Sequence, residues 1–265
     1  MDSIMETARK GLPLKDVLII DAHGHMGYWY NMHIPWNDSD GMVVAMDYLG
    51  IDKVCVSAHL SIGPDAPAGN DVVAQAIRRH PGRFVGYATV NPNYPEEVAL
   101  ELARCFTELS MTAIKLHASC HNYPTDGPNY APVWDYASKR GCPVLIHVRD
   151  WSNFDNMDKL ADEHKDVNFL LAHAGNAIYQ DIERVIKLAA GRPNIYLDLT
   201  GSALHFGILE YFVETVGAER VIYGSDIPFI DAAPQLGRVV YAKIREDDKR
   251  KVLGLNIARL LGISC

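Results

Sequence analysis

The chain has 265 residues, of which 48% are hydrophobic and 22% are charged, as expected for a globular protein with a large core. Its formal net charge of -8 argues against a binder of nucleic acids or anionic membranes, because such proteins usually carry a basic face. Residues 1–15 lack the apolar core of a signal peptide, and no run reaches the roughly 20 apolar residues of a membrane span, so we expect a cytoplasmic protein.

Along the chain, apolar and β-branched runs alternate with segments of helical pattern. A helix is predicted first, over residues 3–10, and another is predicted last, over residues 247–261. Helix-start signals lie between the runs, such as Pro95 followed by two glutamates. The runs themselves are predicted as eight strands, at residues 17–22, 53–58, 84–90, 112–117, 143–148, 167–173, 194–200 and 220–226.

This alternation predicts parallel strands joined by right-handed crossovers. Eight such units in about 250 residues fit a closed (β/α)8 barrel of the α/β class, with the first and last helices as additions. An open doubly wound sheet is the alternative, but no glycine-rich phosphate loop follows the first strand. Since no linker or repeat interrupts the pattern, we expect residues 1–265 to form one domain.

The first strand carries the most informative residues, Asp21, His23 and His25, at alternate positions. Residues two apart in a strand share a face, which places the two imidazoles about 7 Å apart along it. Neutral imidazole is a common ligand of divalent transition metals. The spacing therefore indicates a candidate metal site at the end of this strand.

Three further apolar runs also end in a potential ligand: His147, His173 and Asp226. A polar residue that ends a buried strand is costly unless it finds a partner, and one ion could satisfy all of them. A fourth run ends with Lys115 and His117, which share a face. Nine of the 11 histidines fall at predicted strand ends or in the loops that follow, where barrel enzymes have their active sites.

These motifs together resemble the amidohydrolase superfamily, and within it the amidohydrolase-related branch of TIM-barrel metal-dependent hydrolases. The resemblance spans nearly the whole chain, because the motifs occur in the expected order and each lies at a strand end. They are Asp21-Ala22-His23-Gly24-His25, Ile114-Lys115-Leu116-His117, Ile146-His147, Ala172-His173-Ala174-Gly175, Tyr223-Gly224-Ser225-Asp226 and the closing residues 253–261.

The resemblance implies that His23, His25 and Asp226 bind a divalent metal, with zinc expected. In single-metal members His147 is a further ligand and His173 hydrogen-bonds the metal-bound water, whereas in two-metal members both histidines hold a second ion. Asp226 then both touches the metal and takes the proton from the water, so Asp226 and His173 are the predicted catalytic residues. We favour one ion.

The residues predicted to contact substrate are Lys115, His117 and Arg149. Lys115 lies on the strand where two-metal relatives carry a carboxylated lysine, but we favour an unmodified lysine, which would either pair with a substrate carboxylate or form an ion pair inside the barrel. Arg149 is a candidate contact for a substrate anion. Four loop residues are weaker candidates for an aromatic wall above the metal: Tyr28, Trp29, Tyr30 and Trp151.

Metal-activated water makes hydrolysis of an amide, lactone or ester bond in a small molecule the leading prediction. The first alternative is a metal-dependent, non-oxidative decarboxylase of a small aromatic or unsaturated acid, a lyase with a similar ligand set. A barrel that only binds ligands is the third hypothesis. No inserted cap domain is visible in the sequence, so a lid must come from the loops or from a neighbouring subunit, which makes a homo-oligomer a candidate assembly.

Overall fold

The computed structural model describes residues 3–148, 156–173, 182–201 and 205–264, so the predicted site residue Arg149 and the aromatic candidate Trp151 lie outside the described residues. Eight strands form one parallel sheet in sequential order. They are β1 (Ile20–Met26), β2 (Lys53–Ala58), β3 (Phe84–Thr89), β4 (Ala113–Leu116), β5 (Val144–His147), β6 (Phe169–Ala172), β7 (Ile195–Asp198) and β8 (Val221–Ile222).

Hydrogen bonds between β1 and the chain around β8 close the sheet into a barrel. The Ala22 amide donates to the Tyr223 carbonyl over 3.0 Å, and further along the His25 amide donates to the Ile227 carbonyl over 2.8 Å. Among the described strands, the two that would otherwise form the edges of the sheet are therefore joined to each other. The predicted (β/α)8 barrel is thereby confirmed.

Helices connect the strands and also flank the barrel at both ends of the chain. They are α1 (Ile4–Arg9), α2 (Ser39–Leu49), α3 (His59–Ile62), α4 (Ala66–Arg79), α5 (Pro95–Thr107), α6 (Ala118–His121), α7 (Ala131–Arg140), α8 (Met157–Glu163), α9 (Ile182–Ala190), α10 (Ile208–Val216), α11 (Ala232–Val240), α12 (Glu246–Arg250) and α13 (Asn256–Leu261). A π-helical segment, Lys251–Leu255, joins the last two. Within the described part of the chain, no helix is both long and apolar enough to span a membrane.

The first strand differs from its predicted bounds, whereas the other seven lie within theirs. Strand β1 runs from Ile20 to Met26 instead of 17–22, so the two histidines belong to the strand and do not follow it. The physical reason is that the backbone of this polar stretch pairs with the chain after β8: the Asp226 amide donates to the His23 carbonyl over 2.8 Å. Polar residues are tolerated here because they find partners inside the barrel.

Two apolar layers stabilise the fold. The larger one packs the outer face of the strands against the helices, and the smaller one fills the barrel below the polar strand ends. Ile257 and Ala258 of α13 belong to the inner layer together with Ile20 at the start of β1. The added C-terminal helix therefore closes the amino-terminal end of the barrel, and the carboxyl ends of the strands are left for a site.

Gly254 lies where the π-helical segment touches the chain before β1. A β-carbon at this position would lie 2.4 Å from the Leu18 carbonyl oxygen, which is backbone and cannot rotate away. We expect Gly254→Ala to lower the free energy of unfolding by about 1–3 kcal/mol, measured by urea denaturation. Gly237→Ala is the matched control, because α11 has space there and alanine favours a helix by about 0.5–1 kcal/mol. Equal effects of the two substitutions would contradict this packing.

Candidate metal centre

Two histidines of β1 and the aspartate after β8 meet at the carboxyl end of the barrel. The Nε2 atoms of His23 and His25 are 3.2 Å apart, and each lies 3.3 Å from Oδ1 of Asp226. All three side chains are buried, and one ligand atom from each lies within 4.8 Å of the others. Two imidazole nitrogens and a carboxylate oxygen at these separations could hold one divalent metal ion.

The backbone around the site is specialised to bring these side chains together. The pairing of β1 with β2 is irregular between Asp21 and Gly24, which re-aims the histidine side chains. Asp226 has a φ of 70° and His173 a φ of 57°, the left-handed region that costs a non-glycine residue roughly 1–2 kcal/mol. Such strain is characteristic of functional sites.

Each histidine of the group is oriented by a second side chain through its other ring nitrogen. Nδ1 of His23 lies 2.7 Å from Oδ2 of Asp198, and Nδ1 of His25 lies 3.0 Å from Oγ of Ser57. A proton on Nδ1 of His23, donated to the carboxylate, leaves the lone pair on Nε2 for a metal. Burial raises the pKa of Asp198 to about 6, so this carboxylate remains ionised at pH 7. The prediction from sequence missed both orienting residues, although each is a polar residue near the end of an apolar strand.

Asp21 does not join the group, contrary to the expectation that it shares a face with the two histidines. Its carboxylate accepts hydrogen bonds from the His23 amide over 3.0 Å, from the Ser225 amide over 3.0 Å, and from the Ser225 hydroxyl. The irregularity after Asp21 breaks the period of two that the prediction assumed. Asp21 therefore links β1 to the residue before Asp226 at the seam of the barrel.

The other two predicted histidine ligands lie beside the group and contact each other. Nε2 of His173 is 3.1 Å from Nδ1 of His147, and the ring of His117 stacks on that of His147 with 3.8 Å between centroids. The ring of His173 approaches that of His23 to 5.1 Å. All of these histidines thus gather at the same end of the barrel, and the roles of His147 and His173 as ligands stay predictions.

Lys115 reaches the group from β4. The side chain is fully buried, and Nζ lies 2.9 Å from Nε2 of His23. Burial lowers the pKa of Lys115 to about 8, with Asp226 and Asp198 acting in the opposite direction. At pH 7 the Lys115 side chain is therefore mainly protonated, so it places a positive charge at the site.

The protonation states of the group suit a metal ligand set. Burial lowers the pKa of His23 well below its usual value and lowers that of His25 as well. Burial alone would raise the pKa of Asp226, but the neighbouring histidines outweigh it and hold that pKa well below the usual range. Neutral imidazoles and an ionised carboxylate are the forms that bind metals.

A pocket of about 390 Å³ opens above the group. Its aromatic part consists of Trp29, His59 and Phe229, whose rings lie within 6.3 Å of one another. Of the aromatic loop candidates, Tyr28 and Tyr30 are instead largely exposed. The lining residues are His25, Trp29, His59, Ile62, His117, Cys120, His147, His173, Asp226 and Phe229. Nothing in the sequence indicated that Phe229 lines the pocket, except its position after the eighth predicted strand.

A model of the amidohydrolase family matches residues 20–263 of the chain. The protein is a member of the amidohydrolase family. The matched range begins with β1 and ends after α13, so it contains every strand of the barrel and the whole candidate metal centre. The family resemblance inferred from the short motifs is therefore confirmed, and so is its implication that the protein is an enzyme.

Several characterised proteins are similar to this amidohydrolase. The gamma-resorcylate decarboxylase of Rhodococcus jostii (strain RHA1) is 23% identical over 249 residues, covering 74% of this chain and 75% of the relative. The crystal structure of 5-carboxyvanillate decarboxylase from Sphingomonas paucimobilis has a TM-score of 0.73 at 19% identity, covering 94% of this chain and 100% of that one. The dihydroxybenzoic acid decarboxylase from Polaromonas, with bound manganese and the inhibitor 2-nitroresorcinol, has a TM-score of 0.75 at 18% identity, covering 93% of this chain and 97% of that one.

These relatives correct the leading functional prediction from the sequence. They are decarboxylases, so the hydrolase prediction is wrong and its lyase alternative is better supported. The physical reason for the error is that similar metal ligands serve both reactions, which differ in the substrate atom that faces the ion. A divalent metal is supported by the ligand group and by the manganese in the Polaromonas structure, but zinc in particular is not confirmed.

Proposed function

We propose that this amidohydrolase is a metal-dependent, non-oxidative decarboxylase that removes CO2 from a small planar acid. The observation that carries the proposal is the group of His23, His25 and Asp226 beside a pocket with an aromatic wall. A substrate carboxylate would bind at the metal end, and a flat unsaturated skeleton would pack against Trp29 and Phe229. The similarity to decarboxylases of aromatic acids supports the same chemistry.

His23, His25 and Asp226 would hold one divalent ion, with His147 as a further ligand. The imidazole and carboxylate donors fit either zinc or manganese, and manganese has the support of the Polaromonas relative. When bound, the ion supplies a Lewis acid that polarises an oxygen of the substrate. Asp198 and Ser57 keep the two histidines of β1 in the orientation that this ion requires.

Residues of the chain hold and deliver the proton that decarboxylation consumes. The carbon–carbon bond to the carboxylate breaks, its electron pair stays on the substrate carbon, that carbon takes up one proton, and CO2 leaves. We propose that the Asp226 carboxylate, which lines the pocket, takes up this proton from solvent and delivers it to the carbon. His173, which also lines the pocket, is the second group that we propose to hold this proton.

Three side chains are proposed to bind and orient the acid before the bond breaks. Lys115 carries a positive charge at the base of the site, which attracts the carboxylate. His117 lines the pocket, with its Nε2 at 3.6 Å from Sγ of Cys120. Arg149, two residues after His147, remains the proposed contact for a second anionic group.

Carbon dioxide release by the manganese-loaded protein tests the proposed function. We expect ¹³CO2 from carboxyl-labelled gamma-resorcylate or 5-carboxyvanillate, and a loss of at least about a thousandfold in rate for Asp226→Asn, because that substitution removes both a ligand and a proton carrier. Mass spectrometry of the released gas is the measurement. Hydrolysis of ester or lactone substrates by a metal-loaded protein that releases no CO2 from an acid panel would contradict the proposal.

A further inference from the structure

His59 lies at the centre of the aromatic wall, directly beside the metal centre. It is the first residue of α3, immediately after β2, and the residue is 4% exposed. Its ring stacks on that of His25, with 5.0 Å between centroids and 23° between planes. The rings of Trp29 and Phe229 flank it at 5.1 Å and 5.7 Å. A planar molecule bound above the metal centre would therefore pack against this imidazole.

The hydrogen bonding of His59 determines which of its nitrogens can contact a ligand. Nδ1 lies 2.9 Å from the carbonyl oxygen of Gly27, and a carbonyl only accepts, so the proton of the neutral ring is on Nδ1. Nε2 then carries the lone pair of the ring, and His59 is one of the residues that line the pocket. A hydroxyl group of a ligand in the pocket can therefore donate a hydrogen bond to Nε2, whereas Nδ1 is already engaged by the backbone.

We propose that His59 is a specificity-determining residue whose Nε2 accepts a hydrogen bond from a hydroxyl group of the substrate. This inference rests on the proposed function, because the substrate carboxylate is taken to lie at the metal end of the pocket. Trp29 and Phe229 on either side provide apolar contacts but no acceptor at the same place. The pocket would thus select a hydroxylated planar acid over the same acid without its hydroxyl group, and also over its methyl ether.

Equilibrium binding to the manganese-loaded protein tests the inference without requiring turnover. The probes are benzoate, its three monohydroxy isomers and the corresponding methoxybenzoates, with dissociation constants from isothermal titration calorimetry. We expect at least one hydroxy isomer to bind about tenfold more tightly than benzoate and its methyl ether, as for one hydrogen bond formed in a nearly buried site. In His59→Phe the ring stacking remains, so benzoate binding should be unchanged while the hydroxyl preference disappears.

His59→Asn is the second variant, because an amide nitrogen can replace Nδ1 as the donor to Gly27 while no atom replaces Nε2. His59→Asn should lose the hydroxyl preference as well. Because His59→Phe keeps the ring and His59→Asn keeps the donor to Gly27, a loss in both variants assigns the preference to Nε2. Equal binding of hydroxylated and unsubstituted acids by the unmodified protein, or a preference that survives both substitutions, would overturn the inference. Selective binding without any CO2 release would instead overturn the proposed function and leave the His59 contact in place.

Discussion

Replacing His23 with alanine is expected to remove the metal ion from a barrel that remains folded. His23 contributes one of the three ligand atoms, a ring nitrogen, and its ring also contacts Lys115 and Asp198. The apolar layers that hold the strands together do not include this residue, so the loss is local. We expect metal content to fall from about one ion per chain to near zero and decarboxylation to become undetectable.

Elemental analysis of protein purified without chelator measures this effect, and far-ultraviolet circular dichroism verifies that the fold is intact. His33→Ala is the matched control, because His33 is exposed in the connection between β1 and α2 and should leave metal content unchanged. A folded, fully metallated His23→Ala protein would contradict the ligand assignment. Two ions per chain in the unmodified protein would favour a bridged pair that recruits Lys115.

Most of the fold could be predicted from the sequence because each strand forms a short apolar run with a helical segment on either side. Seven strands lie within their predicted bounds, but β1 does not. Its last five residues are Ala22-His23-Gly24-His25-Met26, and no local pattern distinguishes a polar strand from a polar loop there. Only the long-range hydrogen bonds to the chain around β8 make it a strand. The bounds of this strand therefore depended on tertiary structure.

The candidate site was predictable to the extent that it depends on strand ends. The grouping of His23, His25 and Asp226 follows from the barrel, since the carboxyl ends of all parallel strands meet at one rim. The contact between His147 and His173 does not, because it depends on side-chain rotamers at two neighbouring strand ends. The choice between hydrolase and lyase was also beyond the sequence, since pocket shape and bound substrate decide it.

Replacing Asp198 with asparagine is expected to weaken metal binding, although the substitution only exchanges one carboxylate oxygen for an amide nitrogen. Oδ1 of Asp198 accepts hydrogen bonds from the Thr200 hydroxyl over 2.7 Å and from the Thr200 amide over 3.1 Å, while Oδ2 lies 2.7 Å from Nδ1 of His23. Asparagine would keep its oxygen on the two Thr200 donors and turn its amide group toward His23. Nδ1 would then have to accept, which places the ring proton on Nε2, the atom required by the metal.

The wrong tautomer should raise the dissociation constant for manganese by about 10–100-fold, the usual effect of losing a group that orients a ligand. Electron paramagnetic resonance of free manganese during a titration measures this constant directly, independent of turnover. Asp52→Asn makes the same substitution at the amino-terminal end of the barrel, where the carboxylate accepts from the Ile19 amide, and should leave manganese binding unchanged. An unaltered constant for Asp198→Asn would mean that His23 is held in place by the barrel wall alone, with no contribution from the carboxylate.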